Sequence, residues 1–264
     1  MRFLIAAILL ASSLWAGYWW FGSGKEEDGI RAWFDRHDYA RYGAVSIAGF
    51  PNRFDSHITE PEITGPNGGF AWSAPFLDLL RMSYQPGHYI LVFADMQKLT
   101  LGGQTIGIET TDADASAVFK RDGSLDRSSF VLQGVGLMGP NWTANCELLH
   151  FASESNGDGS HTIWLQAANL HRTDGTVPPV NVTIRATGQV ALNERGELTG
   201  ELTLTAPDMT AALQLATDFG WLPASTANEL ALATGDLVLK FEAGEVTIGN
   251  RPLNRAPQLP LLFE

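Results

Sequence analysis

From Phe3 to Gly22 the chain carries twenty residues without a single charge, with Arg2 before them and Lys25 after. At about 1.5 Å rise per residue, twenty helical residues extend about 30 Å, the thickness of a bilayer's hydrocarbon core. The run closes on "LWAGYWWFG", where Trp15, Tyr18, Trp19 and Trp20 crowd together. Trp and Tyr favour the membrane–water boundary, so these four read as an interfacial belt at the C-terminal end of a spanning helix. A cleaved signal peptide needs small residues at −3 and −1 of the cut. Cutting after Ala16 puts Leu14 at −3, and cutting after Gly17 puts Trp15 there. The leading reading is an uncleaved anchor over residues 1–24, with a cleaved signal peptide as the alternative, followed by one domain over residues 25–264.

Charge sets the expected orientation. Arg2 flanks the run on one side, and "KEED" (residues 25–28) on the other nets negative. Basic flanks stay cytoplasmic, which places the domain outside; in a bacterium this is a single-pass inner-membrane protein facing the periplasm. A net charge of −12 argues against a nucleic-acid partner. The lone Cys146 excludes an internal disulfide framework and reads as a small core residue.

Past the anchor, Ile30, Trp33, Phe34 and His37 recur at helical spacing, which predicts an amphipathic helix stopped by Gly43. From Tyr42 the period becomes two. In "NERGELTGELTLTAP", Leu198, Leu202 and Leu204 alternate with polar residues, the pattern of antiparallel sheet with one wet face. "NERG" supplies a hairpin turn at Gly196, and similar hairpins turn at Gly123, at Gly244 and across "SNGDGS". After Pro207, helical spacing returns over Met209 to Phe219 and ends at Gly220. "TANE" then offers Thr226 as N-cap, with Glu229 as its capping-box partner and Gly235 as terminator. The expected fold is mainly β: a long curved antiparallel sheet of hairpins with a few short helices, preceded by a transmembrane helix.

Chemistry is sparse. Gly134, Gly136 and Gly139 match a dinucleotide-loop pattern, but Pro140 and strand-like sequence follow where a helix is required. "ESNGDG" starts like a calcium loop, yet Leu165 stands where a bidentate Glu belongs. Asp112 and Asp114 share a strand face and read as a solvated edge. The six histidines show no metal spacing, and no nucleophile motif occurs. No cofactor, metal or catalytic residue is assigned, and the chain is expected not to be an enzyme.

The most distinctive block is "IAGFPNRFDSHITEPEITGPNGGFAWSAPFLDLLRMSYQPGHYILVF". With the N-terminal apolar segment, the "AWF" helix and the terminal "FEAGEVTIG", it resembles the domain of unknown function 2125 family, alphaproteobacterial envelope proteins. The resemblance implies membrane anchoring and brings no activity to any residue. Arg53 and Asp55 share a strand face as an ion pair beside the Pro51 corner. In "HYILVFA", Ile90 and Val92 point one way while Leu91 and Phe93 point the other, so both faces are apolar. Either helices cover the second face or the sheet curls around a groove. The curled hairpins loosely resemble the lipid-sheltering β-grooves of AsmA-type envelope proteins. The leading expectation is a lipid- or hydrophobe-binding groove over residues 70–94 with Trp72, Tyr84, Leu91 and Phe93 as contacts. The alternative is a scaffold that docks another envelope protein.

Overall fold

The computed structural model describes residues 2–65, 69–175, 181–195, 197–232, 235–242, 244–248 and 251–253. The predicted turn glycine Gly196 lies outside them. One helix, α1 (Arg2–Arg36), leads into short strands: β1 (Ala40–Arg41), β2 (Val45–Ala48), β3 (Arg53–Thr59), β4 (Glu62–Thr64), β5 (Phe70–Ser73), β6 (Phe76–Met82), β7 (His88–Phe93), β8 (Met96–Leu101) and β9 (Gln104–Glu109). Longer strands follow: β10 (Asp112–Phe119), β11 (Leu125–Met138), β12 (Thr143–Ser155), β13 (Ser160–Arg172), β14 (Val182–Leu192) and β15 (Leu198–Thr205). Helices α2 (Met209–Asp218) and α3 (Ala224–Leu230) separate these from β16 (Leu237–Glu242), β17 (Glu245–Ile248) and β18 (Arg251–Pro252). The expected mainly-β class, the single antiparallel sheet and the long apolar N-terminal helix are all present.

The strands make one sheet, and β11 is where it forks. The first part of β11 pairs with β10, while its last residues, Gly136 to Met138, pair with β9. One branch runs β10–β7–β6–β3–β2 and the other β9–β8–β5–β4–β1. The far edge of β11 continues as a meander from β12 to β18. The two branches face each other, because Phe93 of β7, Ile106 and Ile108 of β9, Leu132 of β11 and Trp72 of β5 share one core. Helix α2 closes that core with Ala212, Leu215 and Phe219, and the Phe219 ring lies 4.4 Å from Trp142.

Two helix boundaries differ from the sequence expectation. The apolar run and the amphipathic segment form one unbroken helix, and it ends at Arg36 rather than near Gly43. His37 closes it: its Nδ1 lies 2.6 Å from the Trp33 carbonyl, and Ala40 then pairs with Ile63 in the sheet. Helix α3 begins two residues before Thr226, with Pro223 as its N-cap and no side-chain cap bond. The Pro223 carbonyl already receives the Ala227 N–H, so Thr226 is interior to the helix. Helix α2 has its cap at Asp208, whose carboxylate accepts the Ala211 N–H at 2.9 Å.

Candidate functional site

One face of the sheet receives all three helices. Ile30, Trp33 and Phe34 of α1 pack on Val45, Ile47, Ile58 and Leu79, while α2 and α3 pack on Leu204, Leu237, Leu239 and Ile248. Along this inner face the register joins residues into continuous lines. The longest runs Ile47, Ser56, Leu79, Leu91, Ala115, Phe130, Phe151, Leu165, Ala186, Leu204 and Leu237, one residue from each of eleven strands. Only Ser56 is polar. At about 4.8 Å between strands the line extends about 48 Å.

Its two ends and the stretch from Leu91 to Ala115 are covered, and the cover thins between β12 and β14. Leu79 lies under α1, and Leu204 and Leu237 lie under α2 and α3. Between them Phe130 and Phe151 are partly buried, Leu165 is 36% exposed, and Leu192 on the same face of β14 is 43% exposed. Large aliphatic side chains on a core-facing surface normally lose nearly all their contact with water. The strip from β11 to β15 measures about 19 Å and is only partly open, since Ile163, Ser153 and Ala186 on the same face are 8%, 7% and 3% exposed.

The floor is curved. Gly188 pairs with Leu202 and Gly200 with Val190, all on the inner face. A Cβ on Gly188 would fall inside contact distance of the Glu201 carbonyl oxygen, and one on Gly200 would meet that of Gln189. The neighbouring strand therefore lies on the inner side of each glycine, and β14 and β15 bend together toward that face.

Polar groups bound the floor at the hairpin ends. Ser128 donates to Ser153 at 3.3 Å, and Ser153 lies 3.3 Å from His161 Nδ1. Lys120 donates to Ser155 at 3.0 Å. Burial holds the His161 pKa below the ordinary histidine value, and the Lys120 charge pushes the same way. An apolar trough ending in a lysine, an imidazole and hydroxyls can take an apolar chain with a polar or anionic head.

The four residues expected to line a groove over 70–94 do not meet in one cleft. Leu91 belongs to the long line. Phe93 is only 7% exposed, wedged between Phe130 at 4.7 Å and Trp72 at 5.7 Å. Trp72 donates to the Gln97 side chain at 2.9 Å, inside the fork. Tyr84 is exposed on the turn between β6 and β7, beside α1. The floor instead uses Phe130, Phe151, Leu165 and Leu192, whose alternation was visible in sequence although the missing cover was not.

The aromatic belt engages the domain. Trp15 donates to the Pro51 carbonyl at 2.7 Å, Tyr18 to Ser83 at 3.1 Å and Trp19 to Arg53 at 2.7 Å. Trp20 points away and is 80% exposed. Below them Glu26 and Arg81 form an ion pair shielded from solvent. Burial opposes the Arg81 charge, yet the hydrogen bond and charge of Glu26 prevail and raise its pKa. Arg53 and Asp55 pair at 2.7 Å.

Other motifs resolve into structure. Gly134 and Gly136 sit within β11, and β12 follows Gly139 where a dinucleotide loop needs a helix. In "ESNGDG" the Asp158 carboxylate accepts the Ser160 N–H and hydroxyl at 2.9 and 2.6 Å, which lowers its pKa. Among the described residues no three His, Cys, Asp or Glu side chains gather as a metal site. Cys146 is buried, and that burial raises its thiol pKa. On the outer face a shallow polar pocket of about 600 Å³ collects Glu109, Asn145, Glu147, Asn169 and His171. Its lining includes the buried Val135 and Cys146.

Comparison with known proteins gives one match: the family described as "Uncharacterized protein conserved in bacteria (DUF2125)", over residues 19–175, more than half of the chain. No curated protein and no solved structure matches.

Proposed function

We propose that this protein, which belongs to the DUF2125 family of uncharacterised bacterial proteins, is a membrane-tethered, non-catalytic binder of hydrophobic ligands. A lipid acyl chain is the occupant that fits best. The single observation that carries this reading is the partly open apolar floor from β11 to β15, with Leu165 and Leu192 36% and 43% exposed on the core-facing side. Its length of about 19 Å is close to the ~15 Å acyl depth of one bilayer leaflet. Lys120 and the neighbouring hydroxyls favour a polar or anionic head at its rim. A lipid is favoured over a soluble hydrophobe because α1, which packs on the same face, is long and apolar enough to cross a membrane.

Arg2 before the apolar run and the acidic segment after it favour the inner membrane, with the domain in the periplasm. Protease added to spheroplasts then digests the domain, whereas a protected C-terminal tag reverses the orientation. Native mass spectrometry of the full-length protein, extracted in mild detergent, tests the ligand. A retained lipid mass on the wild type is expected. A bare protein under conditions that keep other lipid complexes intact removes the reading and leaves a docking scaffold.

A further inference from the structure

Three uncharged segments of this chain, far apart in sequence, converge on one corner of the fold. They are the α1 run Phe3–Gly22, residues 43–52 ("GAVSIAGFPN") and residues 82–87 ("MSYQPG"). Helix α1 docks on that corner from Trp15 onward through the three side-chain hydrogen bonds to Pro51, Ser83 and Arg53. The Trp19 ring stands 5.4 Å from Phe50 and 6.0 Å from Phe54. A Cβ on Gly22 would come within 2.7 Å of the Phe54 ring, so the helix backbone lies directly on the domain. Deeper still, Glu26 pairs with Arg81 and Phe34 enters the core. The helix and the domain thus hold one another along about 28 Å, from Trp15 to Phe34.

That docking conflicts with a domain hanging clear of the membrane. Only Phe3 to Leu14 project free of it, twelve residues or about 18 Å, against a hydrocarbon core of about 30 Å. The whole uncharged run fills the core only when Trp15 to Gly22, about 12 Å of helix, is also immersed. Whatever touches those residues then goes in with them.

We propose that the corner formed by residues 49–52 and 82–86 is itself seated in the bilayer interface, so that three segments rather than one hold the protein in the membrane. The proposal rests on α1 crossing a membrane, as argued above. The surface chemistry suits this partner. Phe50 is 58% exposed, Tyr84 62% and Met82 36%, flanked by Trp20 at 80% and Phe21 at 69%. A backbone carbonyl in an apolar medium is costly unless it is bonded, and here the Trp and Tyr donors satisfy those of Pro51, Arg53 and Ser83. The depth of about 12 Å is slightly beyond the ~5–10 Å reached by interfacial elements of other membrane-bound proteins. The first charge above the corner on α1, Lys25, then lies at the level of the lipid headgroups, while Arg53, whose carbonyl bonds Trp19, goes in paired with Asp55. Lys25 folds over the Phe21 ring at 5.7 Å in the manner of a snorkelling side chain.

The test uses full-length protein in phosphatidylcholine–phosphatidylglycerol vesicles. A bimane label is placed at Phe50→Cys, at Tyr84→Cys and, on a distant hairpin, at Arg127→Cys, since the native Cys146 is buried and does not react. Lipids spin-labelled on the upper acyl chain should quench bimane at 50 and 84 several-fold more than at 127. Thermal melting identifies variants that fold; Tyr84→Cys decides alone if Phe50→Cys disturbs the Trp19 contact. Protein that floats with vesicles but shows equal quenching at all sites overturns the seating and leaves the spanning helix intact. Protein that fails to float overturns both.

Discussion

Two charge substitutions on the inner face separate an open floor from a closed core. Phe93→Asp removes a ring that is 7% exposed between Phe130 and Trp72. Loss of a buried Phe side chain costs about 3–5 kcal/mol, and desolvating an unpaired carboxylate adds several more. The sum reaches the ~5–15 kcal/mol that holds a typical domain together, so this variant should not fold. Leu165→Asp acts on a side chain that is 36% exposed. It forfeits about two thirds of the ~2 kcal/mol that full burial of a Leu provides, and its carboxylate keeps water. A loss of about 1–2 kcal/mol lowers the melting temperature of a domain this size by about 2–8 °C. Full-length protein in amphipol, melted and titrated with a fluorescent fatty acid, reads both effects. Wild type should bind the probe; Leu165→Asp should fold and bind little beyond the amphipol background. An unfolded Leu165→Asp would show the floor to be core. Equal probe signals from wild type and a folded Leu165→Asp would refute the groove.

Gly188→Ala drives a methyl against the Glu201 carbonyl and should cost about 1–3 kcal/mol, read as a lower melting temperature. Gly24→Ala, with nothing within 4 Å of the added Cβ, is the control and should not destabilise. His161 is held below the ordinary histidine pKa, so the unfolded chain takes up its proton first on acidification. The stability it contributes is present above about pH 6.5 and declines as pH falls below that value toward the lowered folded pKa. Melting curves at about pH 7.5 and 5.5 should differ less in His161→Gln than in wild type. Calcium should leave the melting temperature unchanged, because the Asp158 carboxylate is already engaged by Ser160; a rise of several degrees would reveal a site at "ESNGDG".

The sequence discloses elements better than boundaries. Period-two alternation identified the hairpins from β10 to β17, because alternation is set locally by which side chains face water. Helix ends were misplaced where tertiary contacts override local signals. His37 closes α1 with its ring before Gly43 is reached, and Pro223 starts α3 ahead of the capping-box motif. The belt rings were legible as interfacial, but their hydrogen-bond partners lie 34 to 65 residues away and leave no local mark. The two-sided apolar strand "HYILVFA" misled on one side, because Ile90 is 46% exposed on a wet face beside Ser116. It placed the opening at Phe93, where the fork has closed it.

The fork decides where core becomes floor. The β9–β8–β5 branch attaches only at the last residues of β11, Gly136 to Met138, and so roofs the inner face at Leu132, Phe93 and Leu91. Beyond β11 the roof is taken up by α2, which reaches Leu170 and Val182 at one end of β13 and β14. Phe151, Leu165 and Leu192 lie toward the opposite ends of their strands. The same line of register is therefore a buried core at Leu91 and an exposed surface at Leu165, with no change in the type of residue. A sequence pattern records which way a side chain faces; it carries no record of whether another part of the chain arrives to cover it. Closing this floor would require only a longer pairing between β9 and β11. Leaving it short keeps a strip of core-like surface in reach of a ligand, beside the helix proposed to hold the protein in the membrane.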